Sequence, residues 1–436
     1  MKRILVLSTV AATLCAGAAP AQANLLFEVN NAGDRSDDNP NGICDVAPNV
    51  DGDQCSLRGA IQETNAIPGS DGIDFAIPGP GVRRITPDSL LPAITGPVEI
   101  DGYSQPGAAP NTADLGHPDN AVLRIEVSGT DVPGPIGSGS AGLLLRSTAA
   151  GSLIRGLVLT GWSIWAIDAR ASAVIQGDFI GTNPAGTAAP SPNEYGISTS
   201  PGTATADVDV IGGTAPAARN VISGSTETGI DGYGMRVQGN FIGTEADGTS
   251  PLGNNLGINI WEGDSAVGGP SEAANVIAFN HEGMLVLTPG SGDTLSRNRT
   301  FGNTELGIDL YDQEGDPFGV TPNDQLDADT GPNELQNFPL LVNAVTGPKA
   351  TTIQGALASV PSETFTIEYF ASPGGSGREG KRFIGQRTVS TDEDGFANFG
   401  FRPFKRVPVG QAITATATNS NGSTSEFSAP RMVTTP

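Results

Sequence analysis

One polar-plus-aromatic pair recurs in this chain, and its residues are of the types that act on sugars. Asp231 with Tyr233, Asn259 with Trp261, and Asp309 with Tyr311 repeat the pair at the same two-residue spacing. Aromatic faces stack on sugar rings, while carboxylates and carboxamides bond the hydroxyls. Asp168 holds the matching position in an earlier copy, with Arg170 where the aromatic stands. If the pattern is catalytic, Asp168, Asp231 and Asp309 are the candidate acids. If it only binds, Tyr233, Asn259, Trp261 and Tyr311 are the candidate contacts. A purely structural use is equally open. Asp and Asn at turns bond local backbone, and an exposed Tyr or Trp can cover a neighbouring strand. Leu285 and Leu287 interrupt the pattern in one copy.

Hydrolysis needs two carboxyls about 5 Å apart for retention or about 6.5–9.5 Å apart for inversion. Neighbouring strands lie about 4.8 Å apart. No two adjacent copies both carry an acid at the first position. Asp168 and Asp231 are two copies apart, roughly 9.6 Å. A lyase would need acids for calcium and a base, for which Arg170 or Arg236 is available. The two histidines, His117 and His281, do not help: His281 lies in Asn-His-Glu-Gly, not the Gly-His-Gly of polygalacturonases. Loop acids offer another route: Glu194, Glu262, Asp264, Glu282 and Asp312. Asp324, Asp327 and Asp329 form a short acidic run before Gly331 and Asn333, and hard oxygen ligands so spaced suit calcium. Asp51 and Asp53 form a weaker second run. Neither matches an EF-hand loop, and such runs are often just solvated.

The elements that position these residues are repeats. IQGDFIGTNPAGT from Ile175 returns as VQGNFIGTEADGT from Val237, and IGGTAPAARNVI from Ile211 returns as VGGPSEAANVI from Val267. A Gly-Ile-like pair recurs at Ala166-Ile167, Gly196-Ile197, Gly229-Ile230, Gly257-Ile258, Gly283-Met284 and Gly307-Ile308, with Gly142-Leu143 as an earlier member. Units this short cannot bury a core alone, but stacked units share one. Strand side chains alternate faces. The column Ile167, Ile197, Ile230, Ile258, Met284, Ile308 therefore points inward. Asp168, Ser198, Asp231, Asn259, Leu285, Asp309 points outward. A slip of one residue would exchange the two columns.

The ends differ from the middle. Residues 1–23 read as a secretory signal: Lys2 and Arg3, an apolar run, then Ala21-Gln22-Ala23 for cleavage after Ala23. Cys44 and Cys55 remain and should pair in an oxidising compartment. Ser56 to Ala66 reads as an amphipathic helix with Ser56 as N-cap and Leu57, Ala60 and Ile61 on one face. It would plug the open end of a stack of strands. CSLRGAIQETNA, from Cys55, resembles the C-S-L-R-E-A-I-x-x-A-N motif near the start of many exported bacterial β-helix proteins. Here Gly59 replaces the Glu and Thr64 an Ala. The repeated phrases and DADTGPNELQNFP, from Asp327, resemble the same group. The resemblance implies architecture and no single chemistry. From Phe338 the repeats give way to hairpin-like strands, which suggests an immunoglobulin-like sandwich.

The expected fold is all-β: a right-handed parallel β-helix over residues 73–337, an N-terminal cap over 24–72 and a β-sandwich over 338–436. The formal net charge of −24 disfavours nucleic acid and anionic membranes as partners. No stretch after the signal is apolar enough to span a bilayer. The expected protein is a secreted or cell-surface monomer that binds extracellular polysaccharide or a cell-surface glycan, with calcium as its one candidate cofactor. The alternatives are a polysaccharide lyase or glycoside hydrolase using the same face, and a structural spacer.

Overall fold

The computed structural model describes residues 24–133, 141–200, 208–261, 263–287, 290–311 and 319–436. The expected signal at 1–23, Glu262 and Asp312 lie outside these residues. Among the described residues the chain winds through three parallel sheets of nine, eight and seven strands. One coil shows the rule: Ser152–Arg155 joins the first sheet, Leu157–Thr160 the second and Trp165–Ala169 the third. This is a parallel β-helix.

The inward columns hold it together. Phe27, Ile73, Ile100, Ile154, Ile175, Ile211, Val237, Val267 and Leu295 stack in register down the first sheet. In the third sheet Leu143, Ile167, Ile197, Ile230, Ile258 and Met284 do the same, all at most 1% exposed. Burying each such side chain is worth about 1.5–3 kcal/mol. The outward column is in the expected register, with Asp168 beside Ser198, Ser198 beside Asp231, and Asp231 beside Asn259.

The repeated phrases encode a ladder at the corner between the first two sheets. The N–H of Asp178 donates to Asn220 Oδ1 (2.9 Å), that of Asn220 to Asn240 (3.2 Å), that of Asn240 to Asn275 (3.0 Å) and that of Asn275 to Asn298 (3.1 Å). Each asparagine Nδ2 also reaches a backbone carbonyl, for example Asn240 to Ile211 and Asn275 to Val237. The glycines that lead into the Asn220 and Asn275 rungs are forced. Gly212 and Gly268 have φ of 83° and 88°. A Cβ there would lie 2.4 Å from Oδ1 of Asn240 or Asn298. Only glycine combines that conformation with that approach.

A helix closes the N-terminal end. α1 (Leu57–Ala66) is capped by Ser56, whose Oγ accepts the Gly59 N–H at 3.0 Å. Leu57, Ala60 and Ile61 are buried in the core. Cys44 and Cys55 form a disulfide. A Cβ on Gly59 would lie 2.8 Å from Val46 and 3.2 Å from Cys44 Sγ, so the crossing of the disulfide loop leaves no room for Glu. Arg58 chelates Asp34 at 2.9 and 2.8 Å and donates to the carbonyls of Ser89 and Leu90. Buried Glu63 accepts the N–H groups of Asn41 and Gly42. The motif residues thus bind the cap together. The preceding segment also supplies a strand, Leu26–Val29, which pairs with Asp71–Phe75 and starts the first sheet.

At the C-terminal end seven strands form two antiparallel sheets around one core. The first, second and fifth strands (Leu340–Thr346, Thr351–Ala358, Phe396–Phe401) make one sheet. The fourth, third, sixth and seventh (Arg382–Ser390, Thr364–Pro373, Gln411–Thr418, Arg431–Met432) make the other. Thr424 to Pro430, which reads as a strand, is instead spent on docking: Thr424 Oγ1 accepts the Leu295 N–H at 3.1 Å, and Glu426 Oε1 accepts those of Leu310 and Thr321.

That docking follows the three-sided plan of the helix. The last coil ends in strands Thr294–Ser296, Arg299–Phe301 and Asp309–Leu310, one per sheet. The sandwich sends one buried glutamate to each. Glu368 accepts from Ser296 Oγ and the Arg297 N–H, both at 2.9 Å. Glu379 accepts the N–H groups of Gly302 and Asn303, both at 2.9 Å. Glu426 takes the Leu310 N–H at 3.3 Å. Thr300, at the end of an inward column, exchanges two hydrogen bonds with Gly380.

Candidate functional site

The outer face of the third sheet carries the residues singled out above. Trp261 Nε1 donates to Asp231 Oδ1 at 2.8 Å, and Asn259 Nδ2 donates to the same oxygen at 2.6 Å. Tyr233 and Trp261 are register partners on adjacent strands, with ring centroids 6.3 Å apart and planes 23° apart. The carboxylate thus fixes the indole while both rings stay half-buried. Burial raises the Asp231 carboxyl above its usual range, against the two bonds that favour its charged form. Asn259 Oδ1 is buried and has no hydrogen-bond partner among the described residues.

The other acids sit differently. Asp168 is 4% exposed and forms a close salt bridge with Arg170 at 2.6 Å. Asp309 is fully buried, so the expected open face stops before it. The last coil lies under the docked sandwich, and Asp309 hydrogen-bonds the buried Glu282 of the coil before. Burial raises the Glu282 carboxyl, and the bond from Asp309 offsets part of that. This neighbouring pair escapes a reading confined to one column, because Glu282 starts its strand opposite Leu256. Tyr311 is half-buried, and its N–H bonds the Val286 carbonyl. His117, His281 and Arg236 are exposed.

A second aromatic pair lies at the other end of the same sheet's strands. Trp165 and Tyr195 are register partners with centroids 4.4 Å apart and a tilt of 36°. Burial, then the negative charges of Glu194, Glu227 and Asp231, raise the Tyr195 hydroxyl pKa. Both aromatics stand one residue before the aligned Gly-Ile pair, so the repeat alignment carried their signal.

Asp324, Asp327 and Asp329 each place a carboxylate oxygen within 4.8 Å of the others. Asp327 accepts from Gln336 Nε2 at 2.6 Å, from Ser359 Oγ and from the Asn337 N–H at 2.9 Å. Burial, with Asp329 and Asp324 adding negative charge, raises Asp327 to about 6. Asp327 and Asp329 also line a cavity of about 680 Å³ with Glu334, Glu363 and Asn419. Asp51 and Asp53 are exposed and do not join such a group.

No family model matches the chain. A stretch of 208 residues is 25% identical to a 3-dehydroshikimate dehydratase of Acinetobacter baylyi, covering 45% of this chain and 41% of that protein. The chain thus spans about two-fifths of that relative. The enzymatically active domain of tailspike protein 4 from bacteriophage CBA120 aligns over 86% of this chain and 64% of its own at 10% identity, with a TM-score of 0.17.

The chemistry the outer face can perform follows from its bonding. Asp231 and Asp168 are already engaged by Trp261, Asn259 and Arg170. Glu282 and Asp309 are paired but buried, out of reach of a polymer. The half-buried Tyr233 and Trp261 rings are what the face offers a ligand. No helix among the described residues is long and apolar enough to cross a membrane.

Proposed function

We propose that this is a secreted or cell-surface protein that binds extracellular polysaccharide, without cleaving it, on the outer face of the third sheet. The observation that carries this is the Tyr233–Trp261 pair, its indole fixed by Asp231. A ring already held in place loses little conformational freedom when a sugar stacks on it. The signal-like sequence of residues 1–23 and the Cys44–Cys55 disulfide support export. The cap motif and the repeated phrases support placing the chain with the exported β-helix proteins it resembles. In this reading residues 24–72 cap the helix, 73–337 form the binding solenoid and 338–436 close it.

Trp261→Ala is expected to weaken binding to a recognised glycan at least about tenfold, the range of one lost aromatic hot spot. Binding of purified protein to a polysaccharide panel would measure it, with Tm as the fold control. The same panel, read for unsaturated products and new reducing ends, tests the lyase and hydrolase alternatives. The partial likeness to a dehydratase adds 3-dehydroshikimate to the compounds assayed. Turnover of any of these that Asp231→Asn abolishes would overturn the binding reading.

We also propose calcium as the ion gathered by Asp324, Asp327 and Asp329. A cation there relieves the mutual repulsion of three acids, and their hard oxygens suit it. Millimolar calcium is expected to raise Tm at pH 7.5 and to have little effect at pH 5, where Asp327 is protonated. An unchanged Tm at pH 7.5 would remove the ion from this account.

A further inference from the structure

A second cavity, of about 710 Å³, lies where the last coil meets the hairpin of the third and fourth sandwich strands. Its lining is out of character for the chain. The protein has 47 acidic and 23 basic side chains, yet Arg297, Arg299, Lys381 and Arg382 all face this one space. Their own counter-charges are few. Arg297 lies 3.5 Å from Glu368, a carboxylate already engaged by Ser296 and the Arg297 N–H. Arg382 donates to Gln411 Oε1 at 3.4 Å and, among the described residues, forms no ion pair within 4.0 Å. Among the described residues Arg299 and Lys381 form no ion pair within 4.0 Å. Burial pulls the Arg299 guanidinium below its usual pKa, and the charge of Glu272 only partly restores it.

Two of the cations are held in place by rings. The Arg297 guanidinium stacks 4.7 Å from the Phe383 centroid, and Lys381 Nζ stands 4.0 Å from that of Phe301. Such contacts cost the ligand no ordering of those side chains. Ser271 and Gln411 add hydroxyl and amide groups to the same wall. The volume falls within the usual 300–1,000 Å³ of small-molecule sites. The strongly negative remainder of the surface repels a long polyanion, so the fit is to a short ligand.

We propose that this cavity binds a short anionic saccharide, carboxylated or sulfated and about two sugar units long. The saccharide part rests on the glycan-binding reading above; the anionic part rests on the cavity alone. The four cations take the acid groups, and Ser271 and Gln411 take hydroxyls.

The test is titration calorimetry with a hexuronic acid disaccharide, a sulfated disaccharide, the neutral disaccharide and inorganic sulfate. The titrated proteins are wild type, Trp261→Ala and Lys381→Gln/Arg382→Gln, whose two changes are both at exposed positions. At least one charged disaccharide is expected to bind wild type, and the neutral one and free sulfate at least about tenfold more weakly. The double variant should lose about tenfold for the charged sugar at unchanged Tm, and Trp261→Ala should lose none. Equal affinity for charged and neutral sugars overturns the proposal. So does equal affinity for sulfate, an unaffected double variant, or no binding at all. Loss of neutral-glycan binding in Trp261→Ala with an unaffected double variant leaves the outer-face reading standing alone. Charged-sugar binding lost only in the double variant, with no glycan held by Trp261, leaves this one alone.

Discussion

Asn240→Ala is expected to destabilise the β-helix by about 3–5 kcal/mol, the largest effect of any single substitution proposed here. Asn240 is fully buried in the middle of the corner ladder. Its Oδ1 accepts both the N–H and the Nδ2 of Asn220, and its own Nδ2 reaches Ile211 O and Asn275 Oδ1. Alanine leaves the Asn220 N–H and side-chain amide facing a void, in a place water does not reach. Each orphaned buried group costs about 1–3 kcal/mol. The comparison is Asn343→Ala: that asparagine bonds Gln354 on the exposed face of the sandwich and should change stability by about 0.5 kcal/mol or less. Urea unfolding of the two variants checks the difference. An Asn240→Ala protein within about 1 kcal/mol of wild type would mean the stacked apolar columns carry the corner without the ladder.

The second large effect is on pH dependence. Burial raises Glu426 from 4.5 to about 8, and raises Asp209 and Asp293 from 3.8 to about 7. The sign follows from proton counts. Between the unfolded and folded pKa values the native state keeps protons that the unfolded chain has released. Raising the pH through that window therefore favours unfolding. The contribution of these groups is intact below about pH 4 and is lost progressively up to about pH 8. For Glu426 alone the difference is on the order of 4 kcal/mol. Unfolding midpoints at pH 5, 6.5 and 8 should fall with pH. Glu426→Gln should flatten the trend, with its gain largest at pH 8. A midpoint that rises toward pH 8 in wild type would show that these acids find compensating charge.

Much of this organisation is visible in the sequence, for a physical reason. A parallel solenoid keeps residues at one position of successive coils in one column, so a column of Ile and Met reports its own direction. The register of Ile167, Ile197 and Ile230, and of Asp231 against Asn259, follows from that alone. The helix at Leu57 and the disulfide are equally local. What the sequence hides is long-range. Glu368, Glu379 and Glu426 have nothing in their spacing that ties them to Ser296, Gly302 and Leu310. The burial of Asp309 depends on where a separate domain docks. The Glu282–Asp309 bond crosses between columns, which a column-by-column reading treats as independent. The basic cavity draws its cations from two domains.

The glutamates at the last coil also bear on what two copies of this protein do to each other. A parallel solenoid ends in rows of unpaired N–H groups, and the next coil of another molecule would fit them as well as its own. Growth by such stacking has no internal limit, and its product is a fibre. Here those rows end on carboxylates that accept hydrogen bonds but offer no strand to extend. At the opposite end α1 covers the first coil. At the C-terminal end, the next coil of another molecule would therefore find the N–H groups of Arg297, Gly302, Asn303 and Leu310 already taken.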